Sequence, residues 1–256
     1  MKKLFLKVLN RLKRLYISLF PLNKFIFSLH EFFVVLIYGK TSDYFEFRIS
    51  NELLSKLKLY LNNLDFLNFI DSPSDRNNFL IFNAISNEIK SKLDDNLRIM
   101  DLNSQDSLFL ELQKELYDNV KYYVKSKICF CNIRAWKTLP KSELFGPNQL
   151  HVDGFLKGHL KIMLYLSPLS TECGELLVGT TLITNRPEGT AVIFRNSDVI
   201  HAGVPGNSKD RVSIEITIFR SFINQYIFHR GHYNGRHYKS VLTPYLQYFS
   251  TLKNKA

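Results

Sequence analysis

Residues 188–219 read EGTAVIFRNSDVIHAGVPGNSKDRVSIEITIF, and this stretch holds strand-like runs separated by turns. The glycine-containing turns EGT and PGN bracket the run that contains His201. After the second turn, RVSIEITIF alternates so that Arg211 and Ser213 share one face of a strand. This part of the chain is therefore predicted to form β-strands, one of which carries the polar side chains of Arg211 and Ser213 on the same face.

The same pattern begins near residue 128. The runs ICFCNIRAW (128–136), KIMLYLSP (161–168) and GELLV (174–178) are short, β-rich and separated by loops. Several short strands with turn signals indicate a sandwich or a barrel. Residues 41–127 are instead predicted to be mostly helical, because apolar residues recur there at intervals of three and four, as in residues 104–127.

A metal-ligand pattern lies within the β-rich part. His151 and Asp153 occur in NQLHVDGF (148–155), where strand geometry projects both side chains to the same face. His201, from a distant strand, completes a set of two imidazoles and one carboxylate. This set holds non-haem Fe(II) and leaves the opposite positions open for a co-substrate and O2. A single His-x-Asp is common by chance, and a buried histidine is more often a hydrogen-bonded core residue. The prediction therefore depends on the whole ordered set.

The ordered set resembles the Fe(II)/2-oxoglutarate-dependent oxygenase superfamily: His-x-Asp, then His about fifty residues later, then Arg-x-Ser. The surrounding text is most similar to the phytanoyl-CoA dioxygenase-like branch, over roughly residues 128–220. The segments that carry the similarity are NIRAWKT, LHVDGF, KIMLYLSP, CGELLV, EGTAVIFRNSDVIHAGVP and DRVSIEITI. The resemblance implies an α+β fold, with a double-stranded β-helix (jelly-roll) core and flanking N-terminal helices.

Further site residues follow from side-chain chemistry and strand parity. The planar guanidinium of Arg211 suits the remote carboxylate of 2-oxoglutarate, with Ser213 and Tyr165 as additional donors. Three more polar or aromatic strand residues are candidate substrate-binding groups. They are Arg134, Trp136 and Lys161, of which the two cations are suited to an anionic group on the substrate or co-substrate.

The activity that the resemblance implies is a dioxygenase that hydroxylates an unactivated C–H bond. Its cofactors would be Fe(II), 2-oxoglutarate and O2, and its substrate a small molecule, anionic or lipid-linked. Asp153 favours hydroxylation, because related halogenases have a small residue there. Two alternatives remain open: a non-catalytic jelly-roll binding protein, and a cupin-like isomerase or lyase that uses the same ligands without 2-oxoglutarate.

The chain is predicted to form two parts. Residues 1–40 form a basic, apolar N-terminal helical segment, and residues 41–256 form a single oxygenase domain. That domain comprises the helical part 41–127, the jelly-roll core 128–220 and a basic, aromatic C-terminal extension, 221–256.

Charge is unevenly distributed along the chain. Of the net charge of +11, residues 1–40 contribute +7 and the residues beyond Glu215 contribute +6, which leaves −2 for the middle. A nucleic-acid-binding protein would more often carry basic and aromatic residues over the folded face itself, so no nucleic-acid partner is expected. The three cysteines are too few for a disulfide framework, which indicates a reducing compartment and a cytoplasmic protein.

Residues 1–20, MKKLFLKVLNRLKRLYISLF, read as a basic amphipathic helix. Such a helix suits the surface of an anionic membrane, so peripheral contact at the inner face of the membrane is one expectation. The other is that this segment and the following apolar run, FIFSLHEFFVVLIY, pack on the barrel as ordinary helices.

Overall fold

The computed structural model describes residues 20–63, 67–71, 92–101, 107–141, 148–153 and 158–223. The helices within these ranges are α1 (Phe20–Tyr38), α2 (Asn51–Asn62) and α3 (Ser107–Val124). The strands are β1 (Tyr44–Arg48), β2 (Leu67–Asp71), β3 (Lys92–Asp101), β4 (Lys127–Thr138), β5 (His159–Tyr165), β6 (Gly174–Val178), β7 (Thr181–Ile183), β8 (Thr190–Phe194), β9 (His201–Pro205) and β10 (Arg211–Ser221).

The strands form two antiparallel sheets. The large sheet has the order β1-β8-β5-β10-β4-β3-β2, and the small sheet has the order β7-β6-β9. An isolated antiparallel bridge between His151 and His201 adds the segment 148–153 beside β9. Along the chain, β4 lies in the large sheet, the segment 148–153 lies beside the small sheet, β5 returns to the large sheet, β6 and β7 lie in the small sheet, and β8, β9 and β10 alternate between the two, as in a jelly roll. The predicted combination of helices and antiparallel sheet is confirmed.

Side-chain parity divides the large sheet into two faces. On β5 and β10, the even-numbered residues such as Ile162 and Ile214 join a buried cluster with Leu57 of α2 and Leu116 of α3. The odd-numbered residues of the same strands point away from these helices, towards the small sheet. A second buried cluster lies there and joins the two sheets: Tyr165, Leu169, Leu176, Val178, Ile183, Val192, Phe194 and Val199. The polar residues Lys161, Ser213 and Glu215 therefore lie on the face of the large sheet that is turned to the small sheet.

The strands from β4 to β10 run from Lys127 to Ser221, and the division of the chain into a helical part, a core at 128–220 and a C-terminal extension stays a prediction. The prediction that residues 41–127 are mostly helical is wrong in part, because three strands lie in that range. The strand β1 pairs with β8 at one end of the large sheet, and β2 and β3 extend it beyond β4. The physical reason is that a jelly-roll sheet leaves backbone N–H and C=O groups unpaired at its edges, and these strands satisfy them.

The helix α1 packs against the large sheet near the end of β10. The Phe27 ring lies 5.1 Å from the His159 ring and 5.9 Å from the Phe219 ring, measured between centroids. Within the described ranges, no helix has the length and hydropathy that a membrane crossing requires. The predicted amphipathic helix of residues 1–20 and the C-terminal extension beyond residue 223 lie outside the described residues.

Leu116→Ala tests the packing of α3 on the large sheet. Leu116 is fully buried, so we expect its truncation to lower the free energy of unfolding by about 2–5 kcal/mol, through lost burial and a residual cavity. Urea denaturation measures this loss. Tyr122→Ala is the matched control on the same helix, because Tyr122 is 79% exposed and its loss should change stability by roughly 0.5 kcal/mol or less. Equal effects of the two substitutions would contradict the packing described.

Candidate metal centre

His151, Asp153 and His201 come together at the edge of the small sheet. Their candidate ligand atoms all lie within 4.8 Å of one another. The Nε2 atom of His151 is 3.4 Å from Asp153 Oδ1, and the Nε2 atom of His201 is 3.7 Å from Asp153 Oδ2. The backbone bridge between the two histidines brings their ring centroids to 4.3 Å. Two imidazole nitrogens and one carboxylate thus converge on one point, as the spacing predicts.

The Nδ1 atom of each imidazole lies within hydrogen-bonding distance of a backbone carbonyl oxygen. His151 Nδ1 lies 2.7 Å from the carbonyl oxygen of Gln149, and His201 Nδ1 lies 3.0 Å from that of Val199. A carbonyl only accepts, so each Nδ1 carries the proton and each Nε2 keeps a lone pair for a metal. Burial, reinforced by the nearby Lys161 ammonium, lowers the pKa of His201 to about 4. This imidazole is therefore neutral at physiological pH, which is the form that binds a metal.

Asn196 holds Asp153 in place. The Asn196 side-chain amide donates to Asp153 Oδ2 at 2.9 Å, and the backbone N–H of Asp153 donates to the Asn196 carbonyl at 2.8 Å. Burial raises the pKa of Asp153, but the Lys161 ammonium and the two imidazoles outweigh it and hold that pKa well below its usual range. The third candidate ligand is therefore an oriented, ionised carboxylate.

Lys161, on β5, lies against the three candidate ligands. Its Nζ is 2.5 Å from Asp153 Oδ2 and 3.4 Å from His201 Nε2. The ammonium is nearly buried and approaches a second carboxylate, Glu215 Oε2, at 3.8 Å. The sequence predicts Lys161 as an anchor for an anionic group, and the structure places it beside the candidate metal ligands. There it compensates the charge of Asp153.

Arg211 lies buried at the start of β10. Its guanidinium donates to the carbonyl oxygens of Glu175 at 3.0 Å and Val204 at 2.6 Å, and it pairs with no carboxylate of the described residues. Burial lowers its pKa from the ordinary arginine value. A Cβ atom added at Gly174 or Gly203 would lie 2.7 Å from the guanidinium nitrogens, so both glycines make room for it. A third contact is to the Thr138 hydroxyl at 3.5 Å, so the described partners of this buried arginine are all neutral oxygens and its positive charge is not compensated by them.

The hydroxyl of Tyr165 is another group without a partner. It is buried and makes no hydrogen bond with any residue that the structure describes. Ser213 pairs with Tyr165 across β10 and β5, and both residues line the same cavity as Arg211. The cavity has an empty volume of about 450 Å³, its open mouth included, and His151 and His201 also line it. A buried hydroxyl is normally hydrogen-bonded, so the free Tyr165 hydroxyl indicates a ligand that accepts from it.

Arg134 and Trp136 are both engaged by Glu215. The Arg134 guanidinium donates to Glu215 Oε1 from Nε at 3.0 Å, and Trp136 Nε1 donates to Glu215 Oε2 at 3.0 Å. Burial raises the pKa of Glu215, but Arg134 and Lys161 lower it by more, so this carboxylate is ionised. The structure therefore places Arg134 as the partner of Glu215, whereas the Trp136 ring lines the cavity.

Four residues of this site were not predicted from the sequence: Asn196, Glu215, Gly174 and Gly203. Two of them had a usable signal. Glu215 follows Arg211 and Ser213 in the same alternation, and Asn196 lies five residues before His201 in a quoted motif. The two glycines lie close to the Arg211 guanidinium only in the folded protein, and the spacing of residues along the sequence does not predict this.

The residues present fit a divalent metal with nitrogen and oxygen preference. Two imidazoles and one carboxylate on one side leave the other side open, which is the arrangement of non-haem Fe(II) sites. The uncompensated Arg211 and the unpartnered Tyr165 hydroxyl fit a carboxylate-bearing ligand in the adjoining cavity.

No protein-family model and no curated protein match the chain. Solved structures do match. SnoK, a non-heme alpha-ketoglutarate-dependent carbocyclase from nogalamycin biosynthesis, matches with a TM-score of 0.50 at 12% identity, over 73% of this chain and 83% of SnoK. HygX from Streptomyces hygroscopicus, solved with nickel, 2-oxoglutarate and hygromycin B bound, matches with a TM-score of 0.47 at 14% identity, over 75% of this chain and 88% of HygX. At 12% identity, the likeness to SnoK is a likeness of fold.

Asn196→Ala tests how Asp153 is oriented. Removing the amide takes one of the two described side-chain contacts, beside Lys161, from Asp153 Oδ2, so we expect the affinity for a divalent metal to fall about 10- to 100-fold while the fold is kept. Calorimetric titration with Mn²⁺ measures the change. Asn207→Ala is the control, because Asn207 is exposed and its only described hydrogen bond is from the backbone. Unchanged metal affinity in Asn196→Ala would mean that Asn196 does not position a ligand.

Proposed function

We propose that this protein is a non-haem Fe(II)- and 2-oxoglutarate-dependent dioxygenase that hydroxylates an unactivated C–H bond of a small molecule. The observation that carries the proposal is the shared cavity. It is lined by His151 and His201 of the candidate metal-ligand set and by Arg211, a buried guanidinium with no described carboxylate partner. The quoted motifs support its membership of the phytanoyl-CoA dioxygenase-like branch.

The metal would be held by His151, Asp153 and His201. Their Nδ1–carbonyl hydrogen bonds and the Asn196 amide orient the ligand atoms before the metal binds. When bound, Fe(II) supplies the redox chemistry by which O2 and 2-oxoglutarate oxidise a C–H bond. The presence of the Asp153 carboxylate favours hydroxylation over halogenation, since it occupies the position that a halide would need.

The remote carboxylate of 2-oxoglutarate would be bound by Arg211, Tyr165 and Ser213. Arg211 provides the charge, and the Tyr165 hydroxyl provides a donor that has no other partner. Charge-assisted hydrogen bonds in a buried site are stronger than those in water, so these groups discriminate a dicarboxylate from a neutral molecule. Oxidative decarboxylation of this co-substrate by O2 would yield succinate and CO2, with one oxygen atom entering succinate and the other the hydroxyl group of the product.

Lys161 and Trp136 would form the wall next to the reacting carbon. Trp136, Met163, Leu176 and Phe194 give this wall apolar surface, which suits a hydrocarbon part of the substrate. Lys161 provides positive charge at the same place. These features support a substrate that combines an apolar part with an anionic group, such as a lipid-linked molecule.

A second candidate is a non-catalytic binding protein. The observation in its favour is the 2.5 Å contact between Lys161 and Asp153, an ion pair that neutralises the carboxylate without any metal. Formation of succinate from 2-oxoglutarate, with added Fe(II), ascorbate and O2, separates the two functions. Turnover of 2-oxoglutarate supports the oxygenase, and its absence at full iron loading supports the binding protein. A metal enzyme that works without 2-oxoglutarate would also form no succinate.

Loss of any one metal ligand tests the metal assignment. His151→Ala, Asp153→Asn and His201→Ala each remove one of three protein ligands, so we expect each to lose stoichiometric Fe(II) and succinate formation while the far-ultraviolet circular dichroism is unchanged. Asp118→Asn, an exposed aspartate on α3, is the matched control and should behave as the wild type. A triad variant that keeps one iron per chain and full turnover would show that its residue is not a ligand.

Arg211→Ala tests the co-substrate assignment. A buried charge-assisted contact contributes roughly 1.5–3 kcal/mol, so we expect the dissociation constant for 2-oxoglutarate to rise about 10- to 100-fold, with metal affinity unchanged. Tyr165→Phe removes only the hydroxyl and should weaken binding several-fold. Anaerobic titration of the metal-loaded protein measures both, with Arg186→Ala, an exposed ion-pair arginine, as control. Wild-type affinity for 2-oxoglutarate in Arg211→Ala would refute the assignment.

A further inference from the structure

The helix α1 presents an apolar surface to solvent. Within residues 25–37, every exposed residue is large and apolar, and Leu36 is 68% exposed. These residues recur at intervals of three and four, so they form one continuous stripe along the helix. We name this stripe the outer face of α1; it consists of Phe25, Leu29, Phe32, Phe33, Leu36 and Ile37.

The opposite side of α1 is already covered. Phe27 and Val34 are buried, and Phe27 packs on the rings of His159 and Phe219. Glu31 lies on this inner side, where its Oε1 approaches the Arg220 guanidinium at 3.9 Å. The packing on the sheet therefore fixes the rotation of the helix and turns the outer face away from the protein. Contiguous exposed apolar surface of this kind marks an interaction site.

The sequence next to this face is strongly basic. Residues 1–19, directly before α1, contain six Lys and Arg residues and no Asp or Glu. Lys40 follows the helix and is exposed. Positive charge beside apolar surface matches an anionic phospholipid layer, which offers phosphates to the cations and acyl chains to the apolar side chains. A second copy of the chain fits less well, because pairing two outer faces would bring two such basic segments together.

We propose that the outer face of α1 docks the protein on an anionic phospholipid surface. The helix lies in the interface, with its inner side still packed on the sheet, so it does not cross the bilayer. This docking is independent of the proposed catalysis, because no residue of the outer face lines the cavity. Glu31, on the inner side, lies beside Gly158.

Vesicle co-sedimentation of the full chain tests the docking. The probes are vesicles of phosphatidylcholine with phosphatidylglycerol, and vesicles of phosphatidylcholine alone. We expect binding to the anionic vesicles that weakens strongly from 0.1 M to 1 M salt, as the Debye length falls from ~10 Å to ~3 Å. A double variant, F32E/F33E, should lower the vesicle partition coefficient at least ~10-fold, since it replaces two exposed aromatic side chains, which would enter the lipid, with charges.

Leu59→Glu with Leu182→Glu is the matched control, because both residues are exposed, apolar and outside α1. This control should bind vesicles as the wild type does. Thermal unfolding of F32E/F33E checks that the fold is kept, and the substituted side chains are already in solvent. Succinate formation without vesicles is measured in parallel, so failure of docking and failure of the proposed function are distinguished.

A positive readout comes from Phe33→Trp in the same vesicles. Its indole emission should shift to shorter wavelength and be quenched by brominated acyl chains, whereas Leu59→Trp should show neither effect. Absence of wild-type binding to anionic vesicles at low salt would overturn the proposal, as would equal binding by F32E/F33E. A dimer in sedimentation velocity that F32E/F33E dissociates, without vesicle binding, would identify the outer face as a contact between two copies and would also overturn it.

Discussion

The candidate site depends on one backbone contact, the antiparallel bridge between His151 and His201. Two hydrogen bonds form it, from His151 N–H to the His201 carbonyl at 3.0 Å and from His201 N–H to the His151 carbonyl at 2.9 Å. This bridge brings the His-x-Asp segment to β9 and sets the distance between the two imidazoles. Because backbone geometry is stiff, ligand convergence does not rely on side-chain packing alone. Asp153 follows through its own backbone bond to Asn196.

Charge in the cavity is compensated unevenly. Asp153 is balanced by Lys161, and Glu215 is balanced by Arg134, with Lys161 between the two carboxylates. Arg211 is the exception, since its described partners are neutral oxygens. An uncompensated buried charge destabilises a fold, so its presence indicates a function that uses it. The same reasoning applies to the Tyr165 hydroxyl, which is buried without a hydrogen bond.

Alternate residues along the strands of the large sheet point to opposite faces, and the two faces have different roles. One face of β5 and β10 packs on α2 and α3 and contributes apolar burial. The other face carries Lys161, Tyr165, Arg211, Ser213 and Glu215 into the cavity. Substitutions on the cavity face can therefore change ligand binding with less effect on the main core. The outer face of α1 belongs neither to the main core nor to the cavity.

The sequence by itself determined the β-rich core, because alternation with a period of two and glycine-containing turns are local properties. It also determined which side chains share a strand face, so the convergence of His151, Asp153 and His201 and the placement of Arg211 with Ser213 could be anticipated. The resemblance to a known family supplied the jelly-roll expectation that connects them. The strands within residues 41–127 could not be read in the same way, because pairing with a distant sheet edge overrides local helical periodicity.

Only the tertiary structure decided which partners the buried charges have. Arg134 meets Glu215, 81 residues further along the chain, and Lys161 on β5 meets Asp153 in the preceding segment. Arg211 meets no described carboxylate, and none of these outcomes follows from strand parity. Likewise, the apolar residues of α1 are similar all around the helix, and packing on β10 alone chose which of them remain exposed. Local sequence determines on which face of its helix or strand a side chain lies. The residues that this side chain contacts depend on how distant elements pack.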